Sequence, residues 1–258
     1  MTSQRARSSR VAPVQRVGPR TPPADQDSAG LGSRAPHAWH AHALRLLPTL
    51  LANLTPCSAC QERPGGLVGL CPACMAAITS AVGGLAPAAT ETVWLGPYAG
   101  VWRRLVHALK YGGARNLAGF LGPLLAERVA AAGWTPQLVV HVPTTDSRRL
   151  GRGYDQAELL AVAAALALGA PHTPALERVR ATNKLAGLGR AARGAALVGA
   201  FRSRHLAGRR VLLIDDVMTT GATLDAAREA LAAAGAGPVM SAVVARTAPP
   251  LERSEDHE

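Results

Sequence analysis

Residues 209–231 read RRVLLIDDVMTTGATLDAAREAL. An apolar run ends in two adjacent aspartates, breaks into a turn of threonine and glycine, and resumes with helical periodicity. A short, nearly continuous apolar strand is what a parallel sheet covered on both faces requires. In open sheets of that kind ligands bind beyond the carboxyl ends of the strands, where this stretch places Asp215 and Asp216. The turn from Met218 to Thr223 presents backbone N–H groups at a helix N-terminus, a ready site for phosphate. Thr219, Thr220 and Thr223 add hydroxyls, and Gly221 lets the backbone approach a ligand without an intervening side chain. The aspartates repel phosphate, so they must face sugar hydroxyls, a metal ion or arginine. Two acids beside a phosphate cradle describe a ribose phosphate. A strand capped by acids and a threonine-capped helix also occur without any ligand, but that reading leaves the order of the residues unexplained. No GxxxxGK[ST] segment is present, which excludes a P-loop.

The surrounding pattern is strand–helix alternation from residue 91 onward. TVWLGPY reads as a strand ending at its proline; VWRRLVHALKY and RNLAGFLGPLLAERVAAAG read as helices separated by a GGA turn. QLVVHVP is a buried strand, TTDSRRLGRG a polar basic loop, and YDQAELLAVAAALAL a long apolar helix. A strand near ALERVR, a loop ATNKLAGLGR and a short helix over 190–200 precede the strand RRVLLID. The helix after it closes at Gly235, and PVMSAVVAR is the last strand. The expected class is α/β, a mostly parallel sheet flanked by helices, with a small N-terminal zinc-ribbon-like module.

That module is marked by Cys57-x2-Cys60 and Cys71-x2-Cys74, the four cysteines of the chain. Two such knuckles across a short loop supply four thiolates at tetrahedral zinc spacing. A disulfide framework is disfavoured in a chain without a secretory leader, and a redox motif needs one pair in a strand–helix context. Four protein ligands close the coordination shell, so the ion's expected role is folding or docking. His37, His40 and His42 lie among alanines at poor ligand spacing and read as surface residues.

Residues 1–35 read as a disordered extension, 36–82 as a helix plus the cysteine module, 91–248 as the α/β domain and 249–258 as an acidic tail. The net charge is +11; the first forty residues contribute +4 and the last eight −3, which leaves the body at +10. Such a balance fits an anionic partner, either a phosphorylated small molecule or nucleic acid. The longest apolar runs are too short or too interrupted for a membrane span, and a cytoplasmic location is expected.

VLLIDDVMTTGAT resembles the phosphoribosyl-pyrophosphate signature of type I phosphoribosyltransferases. The resemblance implies that Asp215 and Asp216 hold the ribose hydroxyls and that Met218, Thr219, Thr220, Gly221, Ala222 and Thr223 hold the 5′-phosphate. A four-cysteine module followed by HALKYGGARNLAGFLGPLLAE, VVHVP, RRLGRGYDQAELLA and GLGRAARGAALVGAF, in that order, resembles the ComF family over about residues 50–247. The family is linked with DNA uptake, and its fold implies ribosyl phosphate transfer from phosphoribosyl pyrophosphate with Mg²⁺ to an acceptor the sequence does not name. Single-stranded DNA and competence-machinery proteins are the further partners implied. The loop after VVHVP is placed to cradle pyrophosphate, with Arg148, Arg149 and Arg152 offering bidentate contacts; a solvated basic loop is the alternative. Lys110 at a flexible turn is a further substrate-binding candidate, with helix-end charge as an equal account. The chain departs from the usual family pattern at Asp155, Leu185, Gly189, Ala192 and Ala196. Those positions bear on the acceptor side more than on the ribose phosphate. A non-catalytic DNA-uptake accessory with a degenerate transferase domain is the second reading.

Overall fold

In the computed structural model, which describes residues 55–85, 91–179, 197 and 199–247, the fold follows from period-two alternation in a few apolar strands. Strand β5 (Val211–Met218) sends Val211 and Leu213 to one face of a sheet and Leu212 and Ile214 to the other, all of them fully buried. Strand β2 (Leu138–His141) does the same with Leu138 and Val140 against Val139. With β1 (Thr92–Pro97) and β6 (Val239–Arg246) they form a four-stranded parallel sheet in the order β1-β6-β5-β2. The register joins Thr92 to Ser241, Val211 to Val239, and Leu138 to Val211. Covered faces explain why these strands read as apolar runs rather than as alternating patterns.

One face carries α2 (Gly100–Tyr111), α3 (Leu117–Ala131) and α5 (Gln156–Leu168). The other carries α6 (Ala222–Ala233) and an antiparallel hairpin of β3 (Leu176–Arg178) and β4 (Phe201–Ser203). Helix α2 is seated by Trp102, whose indole lies so close over β1 that a Cβ at Gly96 would fall 2.0 Å from its Nε1. Only glycine permits that approach, and it sets where the far end of α2 arrives.

The cysteine segment folds as turns joined by a Pro56–Pro64 bridge and followed by α1 (Pro72–Gly83). It does not stand apart. Leu70, Ile78 and Val82 share one apolar core with Leu117 and Leu121 of α3. The Nε of Arg104 donates to the Ala59 carbonyl at 2.6 Å, and the Asn116 amide to the Leu67 carbonyl at 2.9 Å.

Two sequence expectations are corrected. TTDSRRLGRG, read as a loop, contains a helix α4 (Asp146–Arg152) that buries none of its residues and so shows no apolar periodicity. Strand β5 does not end at its aspartates but stays paired with β6 as far as Met218 opposite Arg246, since ladder hydrogen bonds are blind to side-chain charge. The expected helix within 36–54, the loop ATNKLAGLGR, most of the helix over 190–200, and the departures at Leu185, Gly189, Ala192 and Ala196 lie outside the described residues.

Candidate functional site

The turn after β5 is three residues long, Thr219 to Gly221. Gly221 is the N-cap of α6 at φ +87°, a left-handed conformation that costs an L-residue strain. The Thr220 hydroxyl accepts from the Ala222 amide at 3.5 Å. Thr247, just past β6, props the turn: its hydroxyl donates to the Thr219 carbonyl at 2.9 Å and its amide to that of Met218 at 2.9 Å. Thr220, Gly221 and Thr223 are half-buried, Thr219 is exposed and Ala222 is buried. The arrangement places a helix N-terminus, with its positive partial charge, directly beyond the two acids.

Alternation along β5 sends the aspartates opposite ways. Asp216 is 3% exposed and faces α2, where Lys110 Nζ meets its Oδ1 at 2.8 Å. Its Oδ2 is buried without a hydrogen-bond partner among the described residues. Asp215 accepts the Asp216 amide on Oδ1 at 2.8 Å. Burial, reinforced by the charge of Asp216, pushes the Asp215 carboxyl up to about 8. Burial works against the Lys110 ammonium, yet the carboxylate of Asp216 outweighs it and holds the lysine above its ordinary value. One of only two lysines in the chain thus comes to rest against the acid pair.

The loop after β2 arrives at the same sheet edge, where the Val142 amide donates to the Ile214 carbonyl at 2.9 Å. Asp155 organises this loop. As N-cap of α5 its Oδ1 accepts from the amides of Ala157 and Glu158, and its Oδ2 accepts from Thr144 N–H at 2.8 Å. Both oxygens take backbone protons, which the amide group of asparagine cannot do. The neighbouring Tyr154 donates its hydroxyl to the Leu109 carbonyl at the end of α2, and Arg115 stacks on its ring. The pair Tyr154-Asp155 therefore ties the Lys110 end of α2 and the β2 loop to one helix.

A cavity of about 610 Å³ opens between this loop and the β3–β4 hairpin, with His141, Thr144, Arg149, Glu158, Arg178 and Arg204 in its wall. Of the three arginines expected around a pyrophosphate, Arg149 lines it. Arg148 is exposed outside that lining. Arg152 turns away to donate to Gln156 Oε1 at 2.8 Å, its guanidinium 5.0 Å from the Tyr111 ring centroid. Sequence reading passed over Arg178. Its Nε donates to the Pro143 carbonyl at 3.1 Å, its guanidinium lies over Phe201, and its charge acts on Asp215. No sequence signal marked it, because the hairpin alone delivers it. His141 and His172 approach within 3.0 Å through Nδ1 and Nε2, and burial holds both below the ordinary histidine value.

In the cysteine segment, the Sγ atoms of Cys57, Cys60, Cys71 and Cys74 lie within 4.8 Å of one another, a set that can hold a metal ion. The Cys71 amide donates to Cys57 Sγ at 3.3 Å. Burial opposes the Cys57 thiolate, but the amides of Cys60, Cys71 and Ala59 bring its thiol down to about 6. Burial, and then its thiol neighbours, push Cys74 up to about 12. Such crowding of unlike thiols is relieved by a shared cation.

A parallel sheet that ends in an acid pair over a glycine-capped turn is the frame of a phosphoribosyl transferase domain, and the family model of that description matches residues 165–258. Over 214 residues the chain is 31% identical to the DNA utilization protein YhgH of Salmonella typhimurium, covering 78% of this chain and 94% of the relative. The protein of the same name from Escherichia coli K12 is 29% identical over the same shares. The chain belongs to the ComF family, with its transferase-type body and its four-cysteine module.

Proposed function

We propose that the chain binds phosphoribosyl pyrophosphate with Mg²⁺ and transfers ribosyl 5-phosphate to an acceptor, in the service of DNA utilization. The observation that carries the reading is the Oδ2 of Asp216, buried without a hydrogen-bond partner among the described residues, on the strand that leads into a glycine-capped turn. A buried oxygen left without a partner costs roughly 1–3 kcal/mol, which a ligand hydroxyl recovers. Asp215 and Asp216 would take the sugar hydroxyls, and Met218 to Thr223 the 5′-phosphate. Arg149 and Arg178 would take the pyrophosphate, whose departure leaves positive charge on the sugar. Arg148 and Arg152 serve at most at its margin. Mg²⁺ supplies neutralisation of the pyrophosphate when the donor is bound. The four thiols fit a structural Zn²⁺: all four ligands come from the protein, leaving no open position for chemistry.

The test is calorimetric titration of phosphoribosyl pyrophosphate with Mg²⁺ into zinc-loaded protein, beside the Asp215→Asn/Asp216→Asn variant. Binding by the wild type alone supports the reading; a folded wild type that does not bind overturns it.

A second reading rests on a groove of about 1190 Å³ between the cysteine segment and α2. Arg103, Arg104, His107 and Arg115 line it, with no acid among its described lining residues. A basic track of this kind suits single-stranded DNA, and the relatives are named for DNA utilization. Affinity that falls steeply with salt, and falls further on Arg103→Ala/Arg115→Ala, would support it.

A further inference from the structure

Lys110 occupies a position that donor binding alone does not explain. It stands in the last turn of α2, where helix-end charge would be satisfied in solvent. Its ammonium instead turns inward, against the cost of burial, to a carboxylate on a strand far along the chain. Three contacts aim it there. Trp102 over Gly96 fixes the angle of α2; Leu105, Val106 and Leu109 bury its inner face; and Tyr154 holds the Leu109 carbonyl one residue from the lysine. The groups that face the ammonium are Asp216, Asp215 and Tyr98.

We propose that Lys110 is a positioning residue of the ribose site: by pinning Asp216 Oδ1, it leaves Oδ2 as the acceptor for one hydroxyl of the sugar's vicinal diol. The inference rests on the donor reading above and deepens it. Two carboxylates side by side cannot both stay charged without a counter-ion. Lys110 supplies that counter-ion at 2.8 Å from Asp216 Oδ1 and so fixes the orientation of the Asp216 carboxylate. The consequence is specific to the diol. A ligand that offers only phosphate groups would be held by the turn or by Arg149 and Arg178 without touching Asp216, and does not depend on Lys110.

The experiment compares ribose 5-phosphate with inorganic pyrophosphate as probes for full-length, zinc-loaded wild type, Lys110→Met, Lys110→Arg, Asp216→Asn and the Lys110→Met/Asp216→Asn double variant. Lys110→Met is expected to weaken ribose 5-phosphate by about tenfold or more, as for the loss of a charged hydrogen bond. Pyrophosphate should stay within about twofold, and Lys110→Arg should recover most of the loss. In the Asp216→Asn background the lysine change should have little further effect, because both act through one oxygen. Equal weakening of both probes, or losses that simply add, overturns the proposal. Wild type that binds pyrophosphate but not ribose 5-phosphate overturns the donor reading itself and is told apart by that pattern. Should Lys110→Met not fold, Lys110→Gln, which keeps length and polarity, takes its place under the same criteria.

Discussion

The four thiols and the two carboxylates are both clusters of acidic groups held closer than their charges favour, and the protein resolves the two crowdings differently. Around the cysteines the groups that act on Cys57 and Cys74 are burial, backbone amides and one another, which bring Cys57 down to about 6 and push Cys74 up to about 12, and their mutual proximity calls for an ion from outside. Around the aspartates the chain brings its own cation, Lys110, from another element, and then leaves one oxygen over. On the proposed reading the first cluster is finished by a guest that stays, and the second by the protein, except for the place where a guest comes and goes.

The sharpest way to break the comparison is to remove the guest that stays. Chelation, or Cys71→Ser/Cys74→Ser, should cost several kcal/mol, on the order expected for a structural metal. Hydrogen exchange should accelerate across residues 55–85 while amides of β5 and β6 keep their protection. Next in size, Asp216→Asn should weaken phosphoribosyl pyrophosphate by roughly tenfold to hundredfold, with the loss of a charged acceptor. Zinc content, read by atomic absorption, should not change, so the two clusters fail separately.

Gly221→Ala should cost about 1–2 kcal/mol of stability through its left-handed φ. Chemical denaturation would measure that loss, and phosphate-bearing ligands should weaken alongside it. The remaining effect is a gain. The Asp215 carboxyl, raised to about 8 chiefly by burial and faced by Asp216, Lys110, Asp155 and Arg178, titrates near 4 in the unfolded chain. The folded state therefore holds an extra proton between those values. Stability present in full below about pH 4 is lost as pH rises through about 8. Asp215→Asn escapes that loss: its melting temperature should match the wild type near pH 4 and clearly exceed it near pH 8. A constant offset across that window would remove burial of Asp215 from the account.

The same contrast explains what could be read from the sequence. The two CxxC knuckles and the strand–acid–turn segment are local, so residue order alone placed four thiols together and put two acids beside a glycine-capped helix. The partners of the acids are not local. Lys110 reaches Asp216, and Arg178 reaches the β2 loop, only through a topology that residue order does not state. Lys110 offered only its rarity and its place at a turn. Helix α4 was hidden because it buries nothing, and β4 because three residues with one buried phenylalanine make no pattern. Asp155 stood out as a departure from the family pattern; its two backbone-accepting oxygens give the aspartate an architectural use.

The register of the sheet also carries a consequence for synthesis. Thr92 of β1 pairs with Ser241 of β6, so the earliest strand of the sheet to leave a ribosome hydrogen-bonds to the latest. Until β6 emerges, β1 has no partner in the ladder, and the apolar face of α2 and α3 waits with it. A contact of such long sequence separation slows folding and lengthens the time an unpaired edge is exposed. A nascent chain interrupted before residue 239 should therefore be a substrate for chaperones and proteases, rather than a shorter working protein.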